Sequence, residues 1–213
     1  MAKVIIFVLC FFASNAFASF YVGAGVGQNH QTIPGGETGN PGDIWYTQAT
    51  PATQDFFIGV TQGHFGLEAG YMDLGAWSRT NVSSIGRCHQ RISTQLKYAR
   101  ANLYFHLSDN LRIFGSYGIA KYKFQNREVA SYNNAALYQY VDNPKESAAQ
   151  GFTVHANAGD GLAPIFGYGL NYQLNRHVEI RASAQYLKHI DVSPWTVYSN
   201  LSIYSVDLIL TTR

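Results

Sequence analysis

The chain is short of charge, short of cysteine and without a long apolar run, and each shortage closes off a class of protein. Asp, Glu, Lys and Arg make up 13% of the 213 residues, about half the ~25% of an ordinary soluble domain. Of its two cysteines, Cys10 lies in an N-terminal apolar leader. The mature chain therefore keeps Cys88 alone and has no internal disulfide; Cys88 reads as a loop thiol without a role. No stretch approaches the ~18 consecutive apolar residues that a membrane-spanning helix needs, so any crossing of a bilayer must be made by strands. Excess charge is lacking too. The leader holds Lys3 and no acid, so the mature balance is near +1, which gives no case for nucleic acid.

The leader itself is legible. Lys3 supplies a positive start, residues 4–12 an apolar run, and Ala16-Phe17-Ala18 a small-x-small cleavage site, the signature of a secretory signal peptide cut after Ala18. Bulky Leu9 before Cys10 argues against a lipoprotein site. The reading is a signal peptide over 1–18 and one domain over 19–213. What is abundant in that domain is aromatic and glycine: 15 Tyr, 13 Phe and 20 Gly.

The segment around Glu68 states the problem. In Gly66-Leu67-Glu68-Ala69-Gly70-Tyr71-Met72, the residues Leu67, Ala69 and Tyr71 share one face of a strand, and Glu68 shares the other with glycines. A soluble sheet turns its apolar face inward and its charge to water. A membrane barrel does the reverse, with the apolar face in lipid and the charge in a polar interior.

Seven further segments alternate in the same way, at residues 20–28, 55–62, 92–106, 111–124, 164–173, 178–188 and 201–213, with 64–74 making eight. In the fourth, Ala99, Ala101, Leu103 and Phe105 oppose Tyr98, Arg100, Asn102 and Tyr104. Connections at 61–63, 108–110 and 174–176 are tight and hold Gly, Asn or Asp. Those at 29–53, 76–90, 125–163 and 189–200 are long. Short and long alternate throughout, so antiparallel neighbours put every tight turn at one end and every long connection at the other. Short periplasmic turns and long extracellular loops are the outer-membrane pattern. A lipocalin-like soluble barrel has no reason to sort its loops this way.

On these residues the chain resembles the small eight-stranded outer-membrane barrels, the OmpA-like transmembrane domains and opacity-type surface proteins. The resemblance is carried by Tyr21-Val22-Gly23-Ala24-Gly25-Val26-Gly27, Phe65-Gly66-Leu67-Glu68-Ala69-Gly70-Tyr71, Leu107-Ser108-Asp109-Asn110-Leu111 and Phe166-Gly167-Tyr168-Gly169-Leu170-Asn171-Tyr172. It implies an all-β, eight-stranded antiparallel up-and-down transmembrane β-barrel in the outer membrane of a Gram-negative cell. It implies a lumenal polar cluster in which Glu68 pairs with Arg181 and with a strand-four base, Arg100 or Asn102. Asn171 stands where some members carry a second acid. The chain ends Leu210-Thr211-Thr212-Arg213, without the terminal aromatic such barrels usually present to the insertion machinery.

An eight-stranded barrel is just wide enough inside for side chains, so a filled polar lumen, not an open channel, is expected. Buried charges cost several kcal/mol each unless paired, which makes the cluster structural. The seven histidines include no set at metal-ligand spacing, and His64, His106 and His177 fall near the tight turns. His189-Ile190-Asp191-Val192-Ser193 is the nearest approach to the His, Ser and carboxylate of outer-membrane lipid A deacylases, with different spacing and flanks. The glycines of 23–27 imitate a dinucleotide fingerprint but precede no helix. No enzyme activity, cofactor or metal is expected.

Tyr71 and Trp77 toward the outer rim, and Tyr104 and Tyr172 toward the periplasmic one, are girdle candidates. Trp45, Tyr132, Tyr138, Tyr140 and Trp195 supply aromatic material in the long loops, the kind of side chain that anchors binding. The function expected is a structural surface protein, with adhesion through its loops. Its expected partners are outer-membrane lipid and lipopolysaccharide, the barrel-insertion machinery and host-surface molecules. A narrow-pore porin, a lipid-modifying enzyme and a soluble ligand-binding barrel are the alternatives.

Overall fold

The computed structural model describes residues 18–32, 44–48, 51–83, 86–132, 153–191 and 198–212. Among them are nine strands: β1 (Ser19–Thr32), β2 (Ile44–Gln48), β3 (Ala52–Gln62), β4 (Phe65–Ser83), β5 (Gly86–His106), β6 (Leu111–Tyr132), β7 (Thr153–Gln173), β8 (Val178–Asp191) and β9 (Tyr198–Thr211). Eight of them close a ring of antiparallel neighbours, β1-β3-β4-β5-β6-β7-β8-β9 and back to β1. Closure leaves no strand edge unpaired in hydrocarbon, where an unsatisfied peptide group costs several kcal/mol. The ninth strand, β2, stands outside the ring. It pairs with β4 from Ser78 to Val82, beyond Asp73 where the β3 ladder ends. Between those two stretches β4 carries a bulge, with Gly75 at φ 68° and its N–H donating to Asp73 Oδ1 at 2.8 Å. Gly63, at φ 56°, makes the β3–β4 turn, where only a glycine adopts that backbone without strain.

The outer wall follows the alternation. Phe20, Val22 and Val26 on β1, Phe56 and Ile58 on β3, Tyr168 and Leu170 on β7, and Tyr204 to Leu210 at every second position on β9 all face outward and are exposed. This belt ends abruptly at one level. Two residues along each strand the outward side chain becomes Asp73, Lys97, Lys121, Asp160 or Lys188.

Inside, the order is inverted. The half of the lumen nearest the tight turns buries Glu68, Arg100, Arg112, Asn171, Glu179 and Arg181. The half nearest the long connections buries Met72, Leu74, Leu96, Tyr122, Leu187, Leu201 and Ile203. The expected polar interior therefore holds in full only for the first half; in the second, Asn29, Thr53, Asp55 and Thr94 are buried among the apolar side chains. Where the outside is lipid, apolar groups gain nothing by turning inward. Where the outside is water, the ordinary hydrophobic effect returns and fills the interior with them.

The narrow lumen is made passable for rings by glycine. Tyr21 lies over Gly59, Phe57 over Gly23, Tyr98 over Gly70, Phe114 over Gly169 and Tyr122 over Gly161, each ring covering its direct cross-strand partner, and a Cβ on any of these glycines would run into it.

Several boundaries differ from the alternation. The segments at 64–74, 92–106, 111–124 and 164–173 continue as ladder to Ser83, from Gly86, to Tyr132 and from Thr153. The long connection expected at 76–90 is strand at 76–83 and 86–90, that at 125–163 is strand at 125–132 and 153–163, and Cys88, Trp45 and Tyr132 lie in strands, not loops. Beyond the lipid the outward face is polar, as at Ser78 and Arg91, so the apolar signal stops while the hydrogen bonds go on. Tyr104 is buried in the lumen, not in a girdle; it shares the inward face of Arg100 and Asn102. The side chain of Trp77 lies outside the described residues, as do residues 1–17.

If the two halves are held by different forces, truncations on opposite sides of the wall differ. Leu96→Ala, inside, loses transfer energy and leaves a cavity, about 2–5 kcal/mol. Leu208→Ala, facing lipid that simply closes in, loses about 1–2 kcal/mol. Urea unfolding of the refolded barrel in micelles measures both.

Candidate functional site

Glu68 on β4 and Arg100 on β5 are direct cross-strand partners. Glycine flanks them on both sides, Gly59 beside Glu68 on β3 and Gly118 beside Arg100 on β6, so the long side chains swing into the middle of the barrel. Arg100 donates from Nε to Glu68 Oε1 at 2.8 Å. Arg181 on β8 reaches across the lumen and donates from Nη1 to Glu68 Oε2 at 2.7 Å. Tyr21 donates its hydroxyl to the same Oε2 at 3.0 Å, and Tyr98 contacts Oε1 at 3.3 Å. One carboxylate thus gathers two guanidiniums and two phenols, with the ion-paired side chains 0–1% exposed. Charge-assisted bonds of this kind are about twice as strong as neutral ones.

Aromatic rings complete the setting of Arg181. Its guanidinium carbon lies 4.8 Å from the centroid of Phe57 and 5.0 Å from that of Phe114, within cation–π range. The network then runs on in both directions. Tyr98 donates to Asp55 Oδ1 at 3.0 Å. Arg181 Nε donates to Asn171 Oδ1 at 3.3 Å, Asn171 Nδ2 to Glu179 Oε2 at 3.2 Å, and Arg112 Nη2 to the same oxygen at 2.6 Å. Asn102 Nδ2 reaches Tyr21 Oη at 3.4 Å.

Seven of the eight wall strands, β1 and β3 to β8, are cross-linked in this way through the interior of the barrel. The void left at the turn end, lined by Tyr21, Tyr104, Arg112, Asn171, Glu179 and Arg181, is about 10 Å³, room for a single water at most. The arrangement can hold strands together. Among the described residues no group of His, Cys, Asp or Glu is placed to hold a metal.

The structure brings Glu68, Arg100, Asn102 and Arg181 together, and Asn171 links them to Glu179. Sequence reasoning missed Tyr21, Asp55, Tyr98, Arg112, Glu179 and Asp207 as lumenal partners. All six are buried, and the alternation alone would have placed them, since each falls on the face opposite the apolar wall. Trp45 and Tyr132 sit in β2 and β6 with side chains outside the described residues; Tyr138, Tyr140 and Trp195 lie wholly outside them, as does Ser193. His64 and His106 meet edge to face, centroids 5.5 Å apart, at the turn end, where His177 also lies.

Removing the shared acid strands two buried cations. Glu68→Ala lowers unfolding free energy by about 3–5 kcal/mol, read as a lower urea midpoint in micelles. Adding Arg181→Met costs less than the sum of the two single changes. A second check addresses the filled lumen: planar bilayers carrying the purified barrel show no discrete conductance steps.

No curated protein matches the chain. Solved barrels do, at identities that speak for the fold. Neisserial surface protein A shares 13% identity, with 91% of this chain and 97% of that one covered, at a TM-score of 0.52. Ail, the attachment invasion locus protein of Yersinia pestis, shares 12% over 92% and 99%, at 0.51. The N-terminal β-barrel domain of Pseudomonas aeruginosa OprF shares 11% over 91% and 97%, at 0.50. The model of the OmpA-like transmembrane domain matches residues 15–210. With a lipid-facing belt outside and paired charges within, that match over nearly the whole length means that the chain belongs to the OmpA-like transmembrane domain family, β-barrels of the bacterial outer membrane.

Proposed function

We propose that this barrel is a non-catalytic surface protein, exported with removal of its leader after Ala18, whose work is done by what it holds outside the membrane, with adhesion to host-surface molecules as its role. The observation that carries the reading is the inequality of the strands. β4 to β7 run for 19 to 22 residues, whereas β1, β3, β8 and β9 run for 11 to 14. The excess is all at the loop end. From Lys97 at the outer rim, β5 continues to Gly86, about 36 Å along the strand at ~3.3 Å per residue. A four-stranded ribbon therefore stands well clear of the lipid, with β2 laid along one edge.

A barrel kept only for its wall would gain nothing from such a ribbon, whereas a binding protein gains reach. Ail, whose fold this chain shares, carries attachment in its name and has been solved with the heparin analogue sucrose octasulfate. That relative supports the adhesive reading by analogy. On this reading the partners are outer-leaflet lipid, the insertion machinery and a host-surface molecule.

The test compares cells displaying the full chain with cells displaying a variant in which residues 133–152 are replaced by a short turn. Adherence to cultured epithelial monolayers drops several-fold while heat-modifiable gel mobility of the barrel is unchanged. Equal adherence of the two would remove adhesion through this connection from the reading.

A further inference from the structure

We propose that the lumen takes up one monovalent cation at Asp207, a proton or an alkali ion, and that this bound charge completes the polar network. The buried acids are Asp55, Glu68, Glu179 and Asp207, and the buried bases are Arg100, Arg112 and Arg181. Four carboxylates therefore face three guanidiniums inside one closed ring. Three of the acids have donors. Glu68 accepts from Arg100, Arg181 and Tyr21, and Glu179 from Arg112 and Asn171. Asp55 accepts from the Tyr98 hydroxyl, 3.0 and 3.2 Å from its two oxygens.

Asp207 has none. It stands on β9, the wall strand that those bonds leave out, and is 1% exposed. Neither of its oxygens has a hydrogen-bond partner among the described residues. Its direct partner on β8 is Arg181, whose guanidinium is turned instead to Glu68 and Asn171. Ser205, two residues earlier on the same face, is bonded to Ser183 at 2.8 Å. Gly25 on β1 pairs with Asp207 on one side and with Asp55 on the other, so two carboxylates flank one glycine. Oδ1 of Asp207 lies over that glycine, where a Cβ would run into it. The charged groups acting on Asp207 are thus Arg181, Arg100, Asp55 and Glu68: two bases already bonded to Glu68, and two acids that repel it. Tyr21 and Tyr98, the phenols of the cluster, donate to those acids.

A carboxylate shut from water and given no donor is among the costliest groups a fold can bury. A positive charge from outside the chain relieves it. The deficit is a single charge, which specifies a monovalent ion. The atoms that would hold it are carboxylate oxygens, which suit a hard ion and not a soft one. Among the described residues no group of three or more His, Cys, Asp or Glu is placed to hold a metal, which argues against a multivalent ion at this point.

The experiment refolds the mature chain in non-ionic micelles separately in each buffer, so that occupancy does not depend on entry into a closed lumen. Melting temperature is read in two series. One runs from mildly acidic to alkaline pH in choline chloride. The other replaces choline by sodium or potassium at alkaline pH and constant ionic strength. A proton held by the folded lumen and released by the unfolded chain is lost as pH rises, so the melting temperature of the parent falls across the first series. An alkali ion bound only by the folded barrel raises it across the second. Either response supports the site, and the series that moves identifies the ion. Asp207→Asn removes the surplus charge. It loses most of the parent's response and melts about 5 °C or more above the parent at alkaline pH in choline. Asp160→Asn, outside the lumen, keeps the parent's response. Asp55→Asn also brings acids and bases level, and it loses the response even where the Asp207 variant fails to fold. A parent unmoved in both series overturns the proposal. So does a folded Asp207→Asn barrel that responds as the parent does, or that melts below it at alkaline pH.

Discussion

Closing eight strands into a ring removes every unpaired peptide edge from the hydrocarbon, and most of the architecture answers the crowding that closure creates. The interior of so small a ring admits side chains and little else. Large groups enter only where a neighbour yields, which is why each of five lumenal rings lies over a glycine on the facing strand. Charged groups enter only if matched. Glu68 accepts from Arg100, Arg181 and Tyr21 at one point, and the ring of backbone hydrogen bonds is thereby reinforced by a cross-brace through its axis.

That brace occupies half the barrel. In the other half the solvent outside has changed, and with it the filling. Met72, Leu96 and Leu187, all fully buried, sit at about the level where Lys97, Lys121 and Lys188 face outward. The outer part of the barrel is thus built like a water-soluble protein and the inner part like a membrane one, on the same continuous strands.

How much of this the sequence could disclose depended on which signal each residue carried. Period-two alternation located all eight wall strands, and Gly63, Asn110 and Asn175 marked the tight turns. The face of Glu68 was legible from Leu67, Ala69 and Tyr71 alone; its pairing with Arg181 came from family resemblance. Tyr104 shows what happens when two signals compete. Its type suits an interfacial girdle, its parity suits the lumen, and parity prevailed because no bulge interrupts β5 between Arg100 and Tyr104. The outer extents of β4 to β7 were illegible for a physical reason. A strand with water on one side and no lipid on the other shows no apolar stripe to count. β2 was hidden likewise, as five residues that pair with β4 outside the ring.

The level at which polarity changes sides has a mechanical meaning. Lys97 and Lys121 face out two residues from Ala99 and Ile119, so sliding the barrel one rung along the membrane normal drives lysines into hydrocarbon or bares apolar wall to water. Either displacement is resisted around the circumference at once. The bilayer is softer than the barrel, and mismatch is relieved by local thinning or thickening at a fraction of a kcal/mol per Å. The membrane around each copy is therefore pulled to the height of this wall, and copies brought close share one deformed annulus. Lateral neighbours of like height would gather with it and taller ones would be shed, a sorting imposed by thickness alone.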